Sequence, residues 1–257
     1  MNTDASIISI EYLDILRSLP EIQAYKKISY ELLNIKARQK ILEVGCATGE
    51  DVRALAERVG LKGQVVGIDV DIAMIEEAQK RTKNASLPIK FDQGDAEKLN
   101  FADHSFDGCR AERLLHLLDQ PLKALQEMTR VVRPGGRVVL GEPDWATLAI
   151  YPSGPSIDTS VFEFDQSAIM GRRLSSLFKQ AGLQVLKIVP VTCVITDFSL
   201  ANQAFHLKSQ ILSAVNRGMI SNSIALEWLI DLAESAQKGE FFSSLTGFIV
   251  CGQKPLD

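Results

Sequence analysis

The sequence predicts an α/β protein with a mainly parallel sheet that helices cover on both faces. From residue 40 to residue 190, short apolar runs alternate with amphipathic segments of helical spacing, an order typical of strand–helix–strand units. A glycine-rich turn, residues 43–49, follows the first strand, and Asp69 ends the second. Strand, glycine turn, helix, strand and acid is the order of a nucleoside-binding unit, in which the second acid takes the ribose hydroxyls.

Composition narrows the possible classes of protein. The chain has 257 residues, of which 46% are hydrophobic, enough for one large α/β domain. The net charge of -4 and the lack of a basic run argue against nucleic acid as a partner. The four cysteines are widely spaced, which favours reduced thiols over disulfides or a zinc site. We find no signal peptide and no membrane span, so we expect a cytoplasmic protein.

Short apolar runs bounded by glycine, proline or acidic residues predict seven strands. In chain order they are residues 40–44, 64–68, 89–95, 105–110, 137–140, 184–189 and 246–251. Residues 133–136, Arg-Pro-Gly-Gly, predict a tight turn that leads into the fifth strand. Glu142 and Asp144 then follow that strand in a predicted loop.

Apolar residues at helical spacing predict the helices. Two N-terminal helices cover residues 7–34 and separate at Pro20, which suits the first turn of the second helix. Further helices are predicted at residues 51–59, 73–82, 121–132, 174–180, 198–215 and 224–236. The last two exceed what a connection between strands needs, so we expect a helical lid over the carboxyl edge of the sheet.

Four motifs, in order, resemble those of class I S-adenosylmethionine (SAM)-dependent methyltransferases. Residues 43–49, Glu-Val-Gly-Cys-Ala-Thr-Gly, are similar to the family's E/D-x-G-x-G-x-G turn, and Asp69 and Asp95 stand where the family has its ribose and adenine acids. Residues 132–136 resemble the L-R-P-G-G turn of a ubiquinone-biosynthesis-like branch that mostly methylates small molecules. The resemblance, from residue 40 onward, implies a Rossmann-like seven-stranded, mainly parallel sheet with an antiparallel seventh strand.

The cofactor that this resemblance implies is SAM, which leaves as S-adenosylhomocysteine (SAH). The implied SAM-binding residues are Glu43, Gly45, Cys46, Ala47, Gly49, Asp69, Val70, Met74, Asp95, Ala96 and Arg110. Val70 is expected on the adenine face, with Met74 beside it. Glu43 suits a ligand with positive charge, because an acid near a buried strand end needs a cation or a hydrogen-bond donor.

Two of these residues carry open questions. Ala47 stands where the family usually has glycine, and its methyl group is a problem only if the backbone needs a positive φ or the ligand touches its Cα. Arg110, and Arg113 three residues later, could bind the methionine carboxylate or a substrate acid, or they could pair with Glu112 and Asp107 inside the protein. An arginine here also argues against the acidic cluster of a divalent metal site, so no metal is expected.

Three residues are candidates for a general base: His116, Glu142 and Asp144. A base is needed only if the acceptor is a hydroxyl or a protonated amine, because the sulfonium is already an activated donor. His116 lies in an apolar segment, where a histidine is often a core residue. Glu142 and Asp144 could instead be solvated loop acids.

We therefore expect a single SAM-binding domain. Its predicted parts are an N-terminal helical cap (1–38), a core (40–190), a helical lid (191–242) and the last strand (243–257). The expected function is transfer of a methyl group from SAM to a small-molecule O, N or C nucleophile, by a monomer or homodimer. The alternatives are a SAM-binding protein that acts as a lyase, cyclase or partner-binding module, and a nicotinamide-dependent reductase. This chain lacks the third glycine and the Tyr-x-x-x-Lys pair that a reductase would need.

Overall fold

The computed structural model describes residues 9–152 and 166–256. The N-terminal residues 1–8, where no signal peptide is expected and where the first helix was predicted to begin, lie outside the described residues. The helices are α1 (Ile10–Ser18), α2 (Pro20–Leu33), α3 (Glu50–Val59), α4 (Ile72–Thr82), α5 (Pro121–Val131), α6 (Met170–Gln180), α7 (Phe198–Phe205), α8 (Leu207–Asn216) and α9 (Asn222–Lys238). The strands are β1 (Lys40–Val44), β2 (Gln64–Asp69), β3 (Ile89–Gln93), β4 (Phe106–Glu112), β5 (Val132–Tyr151), β6 (Gln184–Ile195) and β7 (Phe242–Gln253).

The strands of the described residues form one sheet in the order β3-β2-β1-β4-β5-β7-β6. Six of them are parallel and one is antiparallel, which confirms the predicted fold class. Strand order reverses between β1 and β4, where Val44 lies opposite Ala111. In open α/β sheets, ligands bind outside the carboxyl ends of the strands at such a switch point. The glycine turn that follows β1 therefore stands at the expected place.

By its internal contacts, the chain divides into two compact units. The first, called here the nucleotide unit, comprises residues 24–143, 170–190 and 247–257, and contains the central strands. Its helix α3 shows why the local sequence folds as it does. Val52, Leu55 and Val59 recur at helical spacing and are buried, whereas Arg53 and Glu57 face solvent.

The second unit comprises residues 1–23, 144–169 and 191–246, and has an apolar cluster of its own. Helix α9 buries Ala225, Trp228 and Leu232 in that cluster, and the Trp228 Nε1–H donates to the carbonyl of Pro152 at 3.2 Å. Ser221 caps the start of α9 through the Ile224 N–H. The role of this unit as a lid, and the single-domain division, stay predictions.

The predicted turn at residues 133–136 is instead a bulge within β5. Phe106 of β4 pairs with Val132 of β5, and Gly108 pairs with Arg137. An advance of two residues along β4 thus corresponds to five residues along β5. The bulge therefore holds three residues of β5 that have no counterpart in β4. Bulges bend the strand that contains them, and β5 then continues to Tyr151. The loop predicted for Glu142 and Asp144 was wrong, because both residues lie within this long strand.

The helix predicted at residues 198–215 is two helices, α7 and α8. His206 separates them, with a left-handed backbone at φ 53° that interrupts the helical hydrogen-bond series. The Asn202 side chain accepts the Lys208 N–H at 2.9 Å and starts the second helix. Apolar spacing continues across the break, so periodicity alone predicted one helix. No helix among the described residues has both the length and the hydropathy needed to cross a membrane.

Candidate active site

The glycine turn after β1 places three alternate residues in the left-handed region of the backbone. The φ angles of Gly45, Ala47 and Gly49 are 71°, 44° and 82°. The Cys46 N–H donates to the Ile68 carbonyl at 2.8 Å and so ties the turn to β2. A Cβ on Gly49 would lie 2.9 Å from side-chain atoms of both Ala78 and Phe91, so only glycine fits there. The turn is thus narrow and closely bound to the sheet.

Ala47 occupies its left-handed conformation at an energetic cost. A Cβ makes this backbone region unfavourable by about 1–2 kcal/mol. Glycine removes that cost, but part of the gain is lost because glycine raises the conformational entropy of the unfolded chain. We expect Ala47→Gly to raise the free energy of unfolding by about 0.5–1 kcal/mol in urea titrations. The matched control is Ala54→Gly within α3, which should lower it by about 0.5–1 kcal/mol. A loss of stability in Ala47→Gly would mean that the methyl group makes a contact worth more than the strain.

Asp69 joins the turn to the second strand. Its Oδ2 accepts the Ala47 N–H at 2.9 Å and its Oδ1 accepts the Asp71 N–H at 3.0 Å. Its own carbonyl accepts the Gly94 N–H at 2.9 Å. The structure therefore brings the predicted ribose acid directly against both the glycine turn and the exit of β3.

The other predicted adenine-side residues lie on neighbouring segments. Val70 is 69% exposed, whereas Met74 and Ala96 are buried. Asp95 is exposed, and its Oδ1 accepts the Glu97 N–H at 2.8 Å. Cys46 is buried inside the turn, where burial raises the pKa of its thiol. The binding roles of these residues stay predictions.

Arg110 is completely buried at the centre of a network of ion pairs. Its Nε donates to the Ser29 hydroxyl at 2.8 Å, and its terminal nitrogens donate to Glu43 and Glu112. The guanidinium carbon also lies 4.9 Å from the centre of the Tyr30 ring. Of the two roles considered for Arg110, the structure shows the internal pairing with Glu112; its role in cofactor binding stays a prediction.

Lys26 is the second cation of this network. Its Nζ lies 2.6 Å from an Asp51 oxygen and 3.3 Å from a Glu112 oxygen. The Tyr30 hydroxyl also donates to Asp51. The network therefore ties α2 to the first turn of α3 and to the end of β4. Sequence analysis missed Lys26, Ser29 and Tyr30, although their spacing placed them together on one face of α2.

Glu43 is buried and only partly satisfied. One carboxylate oxygen pairs with Arg110, but Oε2 has no hydrogen-bond partner among the described residues. Burial raises the pKa of Glu43 to about 8, although Arg110 acts in the opposite direction. A buried acceptor without a donor is costly, so this oxygen is suited to a donor that the protein itself does not supply.

His116 and Glu142 form a hydrogen-bonded pair after β4. His116 Nδ1 lies 2.6 Å from Glu142 Oε2. The other oxygen of Glu142 accepts the N–H groups of Leu114 and Leu115 at 2.9 and 2.6 Å, at the start of a one-turn 3₁₀-helix, Leu115–Leu117. Glu142 is buried, and the hydrogen bonds to its two oxygens fix the orientation of its carboxylate. The His116 side chain, in contrast, is 20% exposed.

The third candidate base, Asp144, is also buried, and it belongs to the second unit. Its carbonyl accepts the Thr147 hydroxyl at 2.7 Å. Its catalytic role stays a prediction. Within the described ranges, 9–152 and 166–256, no three His, Cys, Asp or Glu residues are placed to hold a metal ion.

Sequence comparison identifies the family. Residues 41–136 match the family model described as a methyltransferase domain. An uncharacterized 37.1 kDa protein in transposon Tn4556 of Streptomyces fradiae is 34% identical over 252 residues, which cover 95% of this chain and 71% of that one. The demethylmenaquinone methyltransferase of Bacillus cereus is 28% identical over 208 residues, covering 72% and 87%. The chain belongs to the class I SAM-dependent methyltransferases.

Solved structures show the same fold. A Bacillus halodurans C-125 structure, described as that of a methyltransferase, aligns with this methyltransferase at a TM-score of 0.64 and 17% identity, over 90% of this chain and 99% of the other. The [4+2]-cyclase SpnF aligns at 0.60 and 19% identity, over 92% and 82%. At these identities the likeness concerns the fold alone.

The residues around the turn fit SAM, the cofactor of this family. The amino-acid end of SAM carries an ammonium group, which could donate to the unpaired Oε2 of Glu43. The carboxylate of Asp69 stands against the turn, as a ribose acceptor should. The exposed face of Val70 offers an apolar surface for a base. These three groups lie on the ends of β1 and β2 and on the residue that follows β2.

Proposed function

We propose that this methyltransferase methylates a small molecule through a hydroxyl group, or a similarly weak acid, and that His116 removes the proton. The observation that carries the proposal is the contact between His116 and the buried Glu142. An amine that is already neutral would need no such base. The relative named for demethylmenaquinone supports a small-molecule acceptor. We also propose that the protein acts in the cytoplasm, as a monomer or homodimer.

Glu142 determines which nitrogen of His116 can act as the base. Its Oε1 already accepts two backbone N–H groups, as expected of a carboxylate, so Oε2 takes the Nδ1–H of His116. The imidazole then carries its lone pair on Nε2, the nitrogen that can accept a proton from the acceptor. Glu142 is thus a positioning residue, and it also stabilises the imidazolium that forms.

The chemistry divides between cofactor and protein. When bound, SAM would supply a methyl group on a positively charged sulfur; the bond from that methyl to the sulfur would break as the acceptor oxygen bonds to it, which leaves the neutral sulfur of SAH. His116 Nε2 takes the proton that the oxygen loses, and Glu142 balances the resulting charge. Holding the reacting groups in line supplies much of the remaining rate enhancement.

Cofactor binding should depend strongly on Asp69. We expect Asp69→Ala to weaken SAH binding by about 1.5–3 kcal/mol, since hydrogen bonds to a charged group are lost and the Ala47 N–H is freed. Isothermal titration calorimetry measures this directly. The matched control is Asp71→Ala, which removes the cap of α4 at the Ala73 N–H and should lower stability by about 1 kcal/mol without weakening SAH. Equal affinity in Asp69→Ala and the parent would refute the ribose assignment.

Product analysis tests the reaction itself. The protein is incubated with SAM and a library of small hydroxylated compounds, and products are detected by mass spectrometry. We expect one product heavier by a methylene unit, with one SAH released per product. A product of unchanged mass, with SAM required but not consumed, would instead support the cyclase alternative and remove the need for a methyl acceptor.

A further inference from the structure

Tyr25 of α2 is buried against two glycines on neighbouring strands. The residue is 6% exposed. A Cβ on Gly141 of β5 would lie 2.0 Å from the Tyr25 hydroxyl oxygen, and a Cβ on Gly247 of β7 would lie 3.3 Å from the ring. Strands β5 and β7 are neighbours in the sheet. A methyl group at position 141 would displace the hydroxyl, so its place on the sheet depends on glycine there.

The Tyr25 hydroxyl forms no hydrogen bond with the residues that the structure describes. It is not sealed inside the protein either. The completely buried side-chain atoms without a partner are, in the described ranges, those of Glu43, Ser105 and Arg113. A buried tyrosine usually bonds through its hydroxyl. This accessible, unpaired oxygen is therefore suited to a partner that the described residues do not supply.

The hydroxyl lies at the same end of the strands as the proposed base. Gly141, over which it lies, pairs with Glu112, the last residue of β4. The next residue of β5, Glu142, holds His116 by a hydrogen bond. Helix α2 and the segment that follows β4 thus each contribute a polar side chain near the end of β4.

The surroundings of the hydroxyl determine which ligand groups suit it. Burial raises the pKa of Tyr25 well above its ordinary value, and Glu112 and Glu142 act in the same direction. The hydroxyl therefore keeps its proton at pH 7 and can donate a hydrogen bond. Arg110 and Arg113 act in the opposite direction, so acids and cations offset one another around it. A neutral donor in such surroundings is suited to an uncharged oxygen rather than to an ion.

We propose that the Tyr25 hydroxyl donates a hydrogen bond to an uncharged oxygen of the methyl acceptor. This inference deepens the proposed function and rests on it, because it supplies a residue that holds the hydroxylated acceptor whose proton His116 removes. A site built to bond an oxygen rejects an analogue without one, because the donor is then left unpaired. Tyr25 thus selects acceptors by their oxygen and takes no part in binding the cofactor.

Fluorine NMR of two probes tests the contact. 4-Fluorophenol carries an oxygen and fluorobenzene does not, and each is titrated into protein saturated with SAH. We expect Tyr25→Phe to weaken 4-fluorophenol binding about 3- to 10-fold, the scale of one neutral hydrogen bond, and to leave fluorobenzene within about twofold. SAH affinity, measured by calorimetry, should also stay within about twofold. Tyr151→Phe is the matched control, because Tyr151 is exposed at the end of β5 and should change none of the three affinities.

Thermal unfolding separates ligand binding from a structural role. Because the Tyr25 hydroxyl bonds to no described residue, Tyr25→Phe should unfold at the same temperature as the parent or higher. Tyr30→Phe, on the same helix, should unfold at a lower temperature, because the Tyr30 hydroxyl donates to Asp51. A clear loss of stability in Tyr25→Phe would mean that this hydroxyl serves the fold and would contradict the proposal.

Three binding results would overturn the proposal. The first is a parent protein that binds 4-fluorophenol no better than fluorobenzene. The second is an unchanged 4-fluorophenol affinity in Tyr25→Phe. The third is a loss of SAH affinity in that variant with 4-fluorophenol binding retained, which would assign the hydroxyl to the cofactor. A failure of the proposed function is distinguishable from these, because it concerns the product and the rate of His116→Asn, whereas the affinities are measured without turnover.

Discussion

Replacing His116 by asparagine is expected to lower the rate of methyl transfer about 10²- to 10⁴-fold, the range for loss of a general base. Asparagine can still donate to Glu142 Oε2, but it has no basic nitrogen where Nε2 stood. SAH affinity should stay within about threefold, less than 1 kcal/mol, because no cofactor contact is removed. Single-turnover release of SAH, with an acceptor that the parent methylates, measures the rate.

Two further variants sharpen this test. In Glu142→Gln the side-chain amide would donate toward Nδ1 and force the proton onto Nε2, so the rate should fall similarly although the shape is retained. His104→Asn is the matched control, because His104 is an exposed turn residue before β4. A His116→Asn variant that keeps its rate within about threefold of the parent would show that the acceptor needs no base from this residue.

Replacing Arg110 by methionine is expected to lower the free energy of unfolding by about 3–5 kcal/mol at pH 7. Methionine fills a similar volume, but the buried Glu43 loses the cation with which it pairs, and Glu112 loses one of its cations and keeps Lys26. Removing one partner of a buried ion pair is far more costly than replacing the whole pair by apolar residues. Urea unfolding followed by circular dichroism gives the free energy.

The matched control for this variant is Arg133→Met, because the Arg133 side chain pairs with Asp107 but is 48% exposed. That pair should contribute no more than about 1 kcal/mol. Adding Glu43→Gln to Arg110→Met should restore part of the loss, because one uncompensated charge disappears. If Arg110→Met were as stable as Arg133→Met, the network would orient its side chains but contribute little to the free energy of unfolding.

The cost of Arg110→Met should grow with pH. Burial acts to raise the pKa of the Asp51 carboxyl, but Arg110 and Lys26 together hold this pKa below its usual value, so removing the guanidinium should raise it. A carboxyl whose pKa is lowered on folding contributes stability that is present above its unfolded pKa and is lost as pH falls through the folded value. The variant should lose part of this contribution. The difference in unfolding free energy between variant and parent should therefore be smallest near pH 3 and larger at pH 7.

The local pattern of the chain was enough to predict the core of the fold. Strand β1 was predicted with its bounds, and β2, α3 and α4 to within a residue, because period and turn chemistry are short-range properties. Strand β5 was predicted far too short. Its continuation past Glu142 depends on a bulge against β4 and on pairing with β7, and both partners are distant in sequence.

The candidate site divides in the same way. The sequence left open whether Ala47 needs a positive φ. The structure shows that it does, with the Ala47 N–H bonded to Asp69. His116 and Glu142 were separate candidates, 26 residues apart, until the pairing of β4 with β5 placed the end of β4 beside Glu142. Lys26 was not a candidate at all, since nothing in its own segment indicated the acids that it meets.

The sequence by itself determined the family, the cofactor and the succession of the central strands along the chain, because the residues of a nucleoside-binding unit are contiguous and their spacing follows from the backbone. Only the tertiary structure decided how the charged residues are used. Arg110 and Arg113 are both arginines near the end of one strand, yet Arg110 bonds to buried acids of the protein, whereas the Nε of Arg113 has no hydrogen-bond partner among the described residues. Side chains alternate between the faces of a strand, so two arginines three positions apart meet different surroundings.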